Sequence, residues 1–289
     1  IADIDHIKIT QEKVNFVNDY EDFRTLKKTL DKIEESDDYR MELTWSNTIM
    51  DPSWFNYNGI SVFSSMAYEK SANLQDKLGM DSNYINSYIY YSQTPVYNAM
   101  MGLKYLVKND EREINTDLYD FVATCGKYTA YKNKYYMPLA FTVNEKMVDF
   151  TAEYSNPFDI HNDFWYYSTG IYGALKKIDV QSYTTDNITD DGNEFYSDTF
   201  TYFKEQTNAD GKITLKYYIP ESQNVYLYFK GSTIENIEVF TEQSDFRVTQ
   251  NLNEPYILDC GKCAPGEILT VEVPVPADKD SGYIECYAA

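Results

Sequence analysis

The sequence is short of positive charge. Lys and Arg number 25 against 46 Asp and Glu, a net charge of −21 over 289 residues. Nucleic-acid binders collect cations to displace counterions, so this balance argues against a phosphate-backbone partner. It argues equally against direct docking on an anionic membrane surface. Histidine is scarcer still, with only His6 and His161. That argues against a histidine-built metal centre or a Ser-His-Asp triad, although one His suffices for the latter. His161 falls in the first turn of a predicted helix, where it reads as a surface residue or a structural hydrogen-bonding group. Four cysteines, Cys125, Cys260, Cys263 and Cys286, are too few for a disulfide scaffold. No run of about 18 apolar residues supplies a transmembrane helix in this stretch. There is no phosphate-binding glycine loop, dinucleotide fingerprint, Gly-x-Ser-x-Gly elbow or His-Glu-x-x-His. Internal repeats and low-complexity blocks are absent too. The chain starts Ile1-Ala2-Asp3, without Met or signal peptide, as expected of a sequence with something removed upstream.

What the chain does have is tyrosine: 29 residues, within an aromatic content of 16%. Tyr joins an apolar ring to a polar tip, which suits half-buried sheets and wet binding faces. Sheet packing is the plainer account of the abundance, and a ligand platform the sharper one. Hydrophobic residues at 43% and charged ones at 25% describe a globular chain. The length allows one or two domains and burial of roughly 75% of the unfolded surface.

The two halves differ in texture. Phe23, Leu26, Leu30 and Ile33 mark one face of a helix, with Asp19 as its N-cap. Tyr39–Trp45 alternates as a strand. Ser71–Leu78 reads as a helix stopped by Gly79, and Thr94-Pro95 opens another that ends at Gly102. Strands are expected at Leu103–Val107, Tyr119–Thr124, Tyr128–Tyr131 and Leu139–Val143. Asn156-Pro157 starts a longer helix with an apolar face of Ile160, Phe164, Tyr167, Ile171, Leu175 and Ile178. After residue 181 the pattern turns to short alternating strands. Ile213–Ile219 and Val225–Phe229 read as a hairpin after Asp210-Gly211, and strands follow at Ile234–Phe240, Tyr256–Asp259, Ile268–Val275 and Tyr283–Tyr287. Pro274 and Pro276 put one strand at a sheet edge or its end. The expected class is α+β: a mixed α/β lobe over 1–180, then an antiparallel β-sandwich or jelly-roll-like lobe over 181–289. The acidic stretch Asp179–Glu194 is the expected linker.

Few motifs carry chemistry. Cys260-Gly-Lys-Cys263 has redox or zinc spacing but lies between strands, so turn cysteines, paired or not, lead over zinc. Asn187-Ile-Thr-Asp-Asp-Gly192 faintly echoes a calcium loop, yet Asp198 stands where a bidentate Glu is needed, and a solvated turn is favoured. Asn187 is also the only Asn-x-Ser/Thr sequon. Tyr57-Asn58-Gly59-Ile60-Ser61-Val62-Phe63-Ser64-Ser65 is more distinctive. It reads first as a tight turn and a buried strand, and second as a polar loop that holds a sugar between aromatic faces. No metal site and no cofactor are expected.

The order of several blocks resembles a known family. Tyr39-Arg40, Asn58-Gly59-Ile60 with Ser64-Ser65, Leu78-Gly79 and Gly102-Leu103-Lys104-Tyr105-Leu106 come first. Asn133, Tyr136-Met137-Pro138-Leu139-Ala140-Phe141 and Asn156-Pro157-Phe158 with Asn162 follow. This succession resembles the extracytoplasmic region of the bacterial YfhO family of polytopic membrane proteins, over roughly residues 36–180. The resemblance implies many membrane helices upstream and a kinship with multi-spanning glycosyltransferases that use lipid-linked sugars. It implies sugar addition to cell-envelope polymers such as lipoteichoic acid from an undecaprenyl-phosphate donor. In that class the catalytic acid sits between the first membrane helices, which this sequence lacks, so no catalytic residue is carried over. The family commonly continues into a further β segment with a Gly-Trp motif, so this chain is expected to be an internal piece of the ectodomain.

On that reading the chain lies on the outer face of the bacterial cytoplasmic membrane. Its partners are a cell-envelope glycan or polymer and its own upstream membrane helices. Tyr57, Asn58, Ser64, Ser65 and Asn162 are the candidates for a polar groove, each with a structural role as the plainer alternative. An anionic acceptor should pass nearer Arg40 or Lys104 than the acidic stretches. A secreted or anchored carbohydrate-binding module and a structural interaction domain are the competing readings.

Overall fold

A computed structural model describes residues 20–190, 198–232, 236–241, 247–251 and 255–289. Asp19, Ile234, and Asp191 and Gly192 of the calcium-like loop lie outside the described residues. Helix α1 (Tyr20–Glu34) buries Phe23, Leu26 and Leu30 as its periodicity requires. Ile33, expected on the same face, is exposed at the helix end. The helix covers a four-stranded sheet ordered β1 (Arg40–Leu43), β5 (Leu103–Lys108), β7 (Tyr128–Asn133) and β6 (Tyr119–Cys125). β1 and β5 run parallel and the other pairs antiparallel. A one-turn helix, α2 (Asp51–Phe55), follows β1. A small sheet then forms from β2 (Val62–Phe63), β3 (Asp81–Ser82) and β4 (Ser87–Ile89).

The local stop and start signals act as the sequence predicts. Helix α3 (Glu69–Lys77) ends one residue before Gly79, whose φ is +77°. Helix α4 (Pro95–Met100) is capped by Thr94, whose side chain accepts from the Tyr97 N–H. Helix α5 (Pro157–Thr169) is capped by Asn156. It is shorter than predicted, because Gly170 adopts φ +80° and donates to the Tyr166 carbonyl. Ile171 therefore projects into solvent, while Ile178 joins the core of the next lobe. The segment Leu139–Val143 is not a strand. It runs over the surface past Gly102 and Met137 with no strand beside it, so its apolar residues have no ladder to join.

The second half is a β-sandwich of two five-stranded antiparallel sheets. One is ordered β15 (Leu258–Cys263), β12 (Gln223–Gly231), β17 (Ser281–Ala288), β10 (Thr199–Lys204), β9 (Ile188–Asp190). The other is ordered β14 (Arg247–Asn251), β13 (Asn236–Thr241), β16 (Ile268–Val275), β11 (Gly211–Tyr218), β8 (Val180–Asp186). The stretch expected as a linker thus supplies an edge strand to each sheet, β8 and β9, because its backbone finds open ladders on β11 and β10. β11 and β12 do not form the expected hairpin: they lie in opposite sheets. Both apolar rows, Ile213/Leu215/Tyr217 and Val225/Leu227/Phe229, face one core, and packing them against each other requires the chain to cross between layers. Pro274 sits near the end of the central strand β16, where its missing N–H costs least.

The lobes share an apolar joint: Phe158 and Leu175 pack on Tyr226, Tyr228, Ile257 and Tyr287. The Ile257 N–H donates to the Gly79 carbonyl at 2.9 Å. A Cβ on Gly79 would stand 2.6 Å from Ile257 Cγ1, so the close approach and the positive φ both demand glycine. His161 is fully buried beside this joint. Its Nε2–H donates to the Leu78 carbonyl (3.1 Å) and its Nδ1 accepts from the Thr94 hydroxyl (2.9 Å). Burial pulls its pKa down to about 3. It is a structural group, one of the two roles the sequence offered.

Candidate functional site

The five residues proposed from sequence have well-defined places. The Tyr57 ring is buried 5.5 Å from Phe23 under α1, with its hydroxyl 3.5 Å from Glu42 Oε2. Asn58 donates to the Asp37 carbonyl, and its own carbonyl receives the Met41 N–H. The motif thus wraps Glu42, a carboxylate in the middle of β1 that accepts the N–H groups of Ile60 and Ser61. Burial raises the Glu42 pKa to about 7, although those two N–H groups oppose the rise. Gly59 is required because a Cβ would meet Pro52 Cγ at 2.5 Å. Tyr57 and Asn58 line a recess with Lys27, Asp37 and Asn56. Its volume, about 90 Å³, is well under the several hundred Å³ of an ordinary ligand site.

Ser64, Ser65 and Asn162 are not among the residues lining that recess. The Ser64 N–H pairs with the Asn86 carbonyl and its hydroxyl accepts from the Met66 N–H, while Ser65 is exposed. Asn162 spends its amide on Leu175, donating to the carbonyl and accepting from the N–H. Asn187 is similarly occupied, its side chain holding the backbone of Gln206, Ala209 and Asp210. The basic residues named for an anionic ligand are engaged as well. Arg40 donates to the Met101 carbonyl. Lys104 and Lys132 share Glu34. Burial alone would raise the Glu34 pKa, but the hydrogen bonds from Lys104, Tyr105 and Lys132 hold it near 2. The cysteines are free thiols. Burial pushes Cys263 and Cys286 up to about 12, far from a reactive thiolate.

A different group of side chains is gathered at the joint between the lobes. The rings of Trp45, Tyr91 and Tyr256 follow one another at 6.0 and 4.9 Å. Trp45 comes from the residues just after β1 and is 56% exposed. Asn109, just after β5, clamps its backbone in both directions: its Oδ1 accepts the Trp45 N–H and its amide donates to the Trp45 carbonyl. Tyr91 follows β4. The next residue, Ser92, donates to the Ile257 carbonyl and accepts the Asp259 N–H, which fixes the Tyr256 segment against the first lobe. Arg112 borders the row. Its Nε contacts Asp110 Oδ2 at 3.1 Å and its Nη1 donates to the Tyr91 carbonyl at 2.7 Å. Asp110 in turn accepts from the Thr44 hydroxyl.

Charges around the row offset one another. Burial raises the Tyr256 pKa, against the pull of the Arg112 cation and with a further push from Asp81. Burial also raises Asp259, again against Arg112. One guanidinium thus stands among three carboxylates, held in place before any ligand arrives. Aromatic faces with fixed polar groups at the rim suit a flat, hydroxyl-rich ligand. Sequence reading missed this row because its members come from three distant segments. Only the abundance of Tyr hinted at it.

An α/β lobe joined rigidly to a β-sandwich, with an aromatic row at the joint, defines a two-lobed domain of the binding type. The chain belongs to the family described as bacterial membrane protein YfhO, whose profile matches residues 1–281. No helix among the described residues is long and apolar enough to cross a membrane. No curated protein matches the chain. Among solved structures, the enzymatically active domain of tailspike protein 4 from bacteriophage CBA120 is 15% identical. The match covers 39% of this chain and 18% of that one at a TM-score of 0.25. A family 35 carbohydrate-binding module from Clostridium thermocellum is 8% identical over 39% of this chain and 95% of that one, at 0.26. A point mutant of a family 29 carbohydrate-binding module is 14% identical over 39% and 88%, also at 0.26. These scores are low, and the sandwich is defined by the strand pairing above.

Proposed function

We propose that this chain is the outward-facing part of a membrane protein and holds an uncharged sugar portion of a cell-envelope polymer. Glycosyl transfer itself would fall to the protein's membrane-embedded part, with an undecaprenyl-phosphate sugar as donor. The chain contributes binding, with no catalytic residue of its own, and residues 1–180 and 181–289 act as its two lobes. The observation that carries this reading is the row Trp45–Tyr91–Tyr256, pinned by Asn109 and Ser92 and edged by Arg112. A pyranose lays its apolar face on such rings while its hydroxyls meet the rim. A neutral ligand is favoured over a polyphosphate because the row lies among Asp81, Asp110 and Asp259, while Arg40 and Lys104 are engaged elsewhere. Asn58 and Ser65 are exposed and form a secondary contact on this proposal.

The test is a titration with hexasaccharides of glucose, galactose and N-acetylglucosamine, followed by calorimetry and tryptophan fluorescence. A sugar covering about 50 Å² of the Trp45 ring gains roughly 1.3 kcal/mol, close to tenfold in affinity. Trp45→Ala should therefore weaken binding about tenfold, and Trp45→Phe should restore much of it. Absence of binding to every envelope glycan tried, or binding indifferent to Trp45→Ala and Tyr256→Ala together, would reject the proposal.

A further inference from the structure

A second surface feature is independent of the glycan row. Helix α5 ends at Gly170, and a 3-10 turn (Glu145–Asp149) is tied to that end by the Asn144 N–H, which donates to the Ser168 carbonyl at 3.0 Å. Around this tie, large apolar and aromatic side chains stand out of the fold. Val148 is 87% exposed, Tyr172 75%, Ile171 61%, Tyr154 50% and Val143 41%. They are held, not loose. The Tyr172 ring stacks on Tyr166 at 3.8 Å and 16°, Tyr166 leans on Tyr167 at 5.3 Å, and Tyr167 meets Phe150 edge-on. The Lys146 ammonium lies 5.7 Å over the Tyr166 ring.

Contiguous exposed apolar surface costs solubility and marks a contact face. This one consists of protruding tips on two adjoining loops, without a groove, so it suits a soft partner that deforms around it better than a shape-matched one. Tyr beside aliphatic residues is the composition that settles at the boundary between lipid headgroups and acyl chains. The chain belongs to a membrane-protein family, yet no helix among its described residues can span the bilayer. Any contact of these residues with lipid is therefore made by surface. We infer that the Val143–Val148–Tyr154–Ile171–Tyr172 face rests on the lipid bilayer, inserting its tips at the interface. The nearby charges set the lipid class. Glu145, Asp149, Asp159 and Asp163 flank the face, Lys146 is turned onto Tyr166, and Lys176 and Lys177 are paired with Glu221 and with Asp179 and Asp198. The docking is thus to uncharged or zwitterionic headgroups and gains nothing from anionic ones.

The inference rests on family membership and not on the glycan proposal, so the two fail separately. Flotation of the chain with phosphatidylcholine vesicles should recover it in the lipid fraction. Including phosphatidylglycerol should leave recovery unchanged or lower it. The double variant Val148→Asp, Tyr172→Asp should lose at least tenfold in recovery, while its melting curve and its oligosaccharide binding stay as in the parent. In the full-length membrane protein, a photocrosslinker at position 148 should label lipid. No recovery with neutral vesicles, recovery indifferent to the double variant, or crosslinking from position 148 into polypeptide instead of lipid would each overturn the inference.

Discussion

Glu42→Gln offers the sharpest test of how the Tyr57–Ser61 motif works. In the fold the Glu42 carboxyl is fully buried and receives the Ile60 and Ser61 N–H groups, with the Tyr57 hydroxyl at 3.5 Å and Asp51 adding a like charge. Burial raises its pKa from the ordinary 4.5 to about 7. The folded state therefore holds this proton more tightly than the unfolded chain. The associated stability is fully present below pH 4.5 and is lost as pH rises through about 7. At about 1.4 kcal/mol per tenfold change in proton affinity, the loss is about 3 kcal/mol by pH 8. Glutamine keeps an oxygen for the two N–H groups and presents an amide where the carboxylic acid held its proton, so it mimics the neutral form at every pH. Urea unfolding of both proteins at pH 5, 6, 7 and 8 isolates the effect, because every other carboxylate cancels in the difference. The two should be nearly equal at pH 5, and the variant should be more stable by about 3 kcal/mol at pH 8. A difference that does not grow with pH, or a variant less stable at pH 8, would refute the account of Glu42 as a buried, proton-holding acceptor.

Two further substitutions probe the joint. Gly79→Ala puts a side chain at φ +77° and 2.6 Å from Ile257 Cγ1, so it should cost about 2–4 kcal/mol in denaturant unfolding and loosen the aromatic row with it. An effect under about 0.5 kcal/mol would mean that the lobes do not meet there as described. His161 is neutral in the fold with a pKa near 3 against 6.5 when free, so its contribution is present above pH 6.5 and is lost as pH falls toward 3. His161→Gln should flatten the acid limb of the stability profile between those values. A parent and variant with parallel acid limbs would exclude that role.

The elements were legible where the cause is local. Thr94-Pro95 and Asn156-Pro157 start helices because a side-chain oxygen caps the first free N–H and Pro needs none. Gly79 and Gly170 stop them because the next residue must turn left-handed. The alternation Ile213–Ile219 and Val225–Phe229 announced strands of a half-buried kind, and the block order carried the family. The same alternation could not say that β11 and β12 belong to opposite sheets, since an apolar row marks an inward face and not the neighbour beyond its edge. Nor could it show that Leu139–Val143 has no strand to pair with.

Function divides along the same line. Composition by itself determined a solvated acidic surface and an excess of Tyr, and most of that Tyr does pack. Tyr90, Tyr97, Tyr105, Tyr128, Tyr202 and Tyr217 are essentially without exposure. Which rings stay outside was decided only by tertiary structure. Trp45, Tyr91 and Tyr256 meet because Ser92 and Gly79 bond the segment around Ile257 to the first lobe. The Asn58-Gly59 turn, distinctive in sequence, proved to be the wrapping of Glu42. A local motif records the conformation its own backbone must adopt. A binding face records which distant surfaces that backbone brings together, and long-range packing alone fixes that.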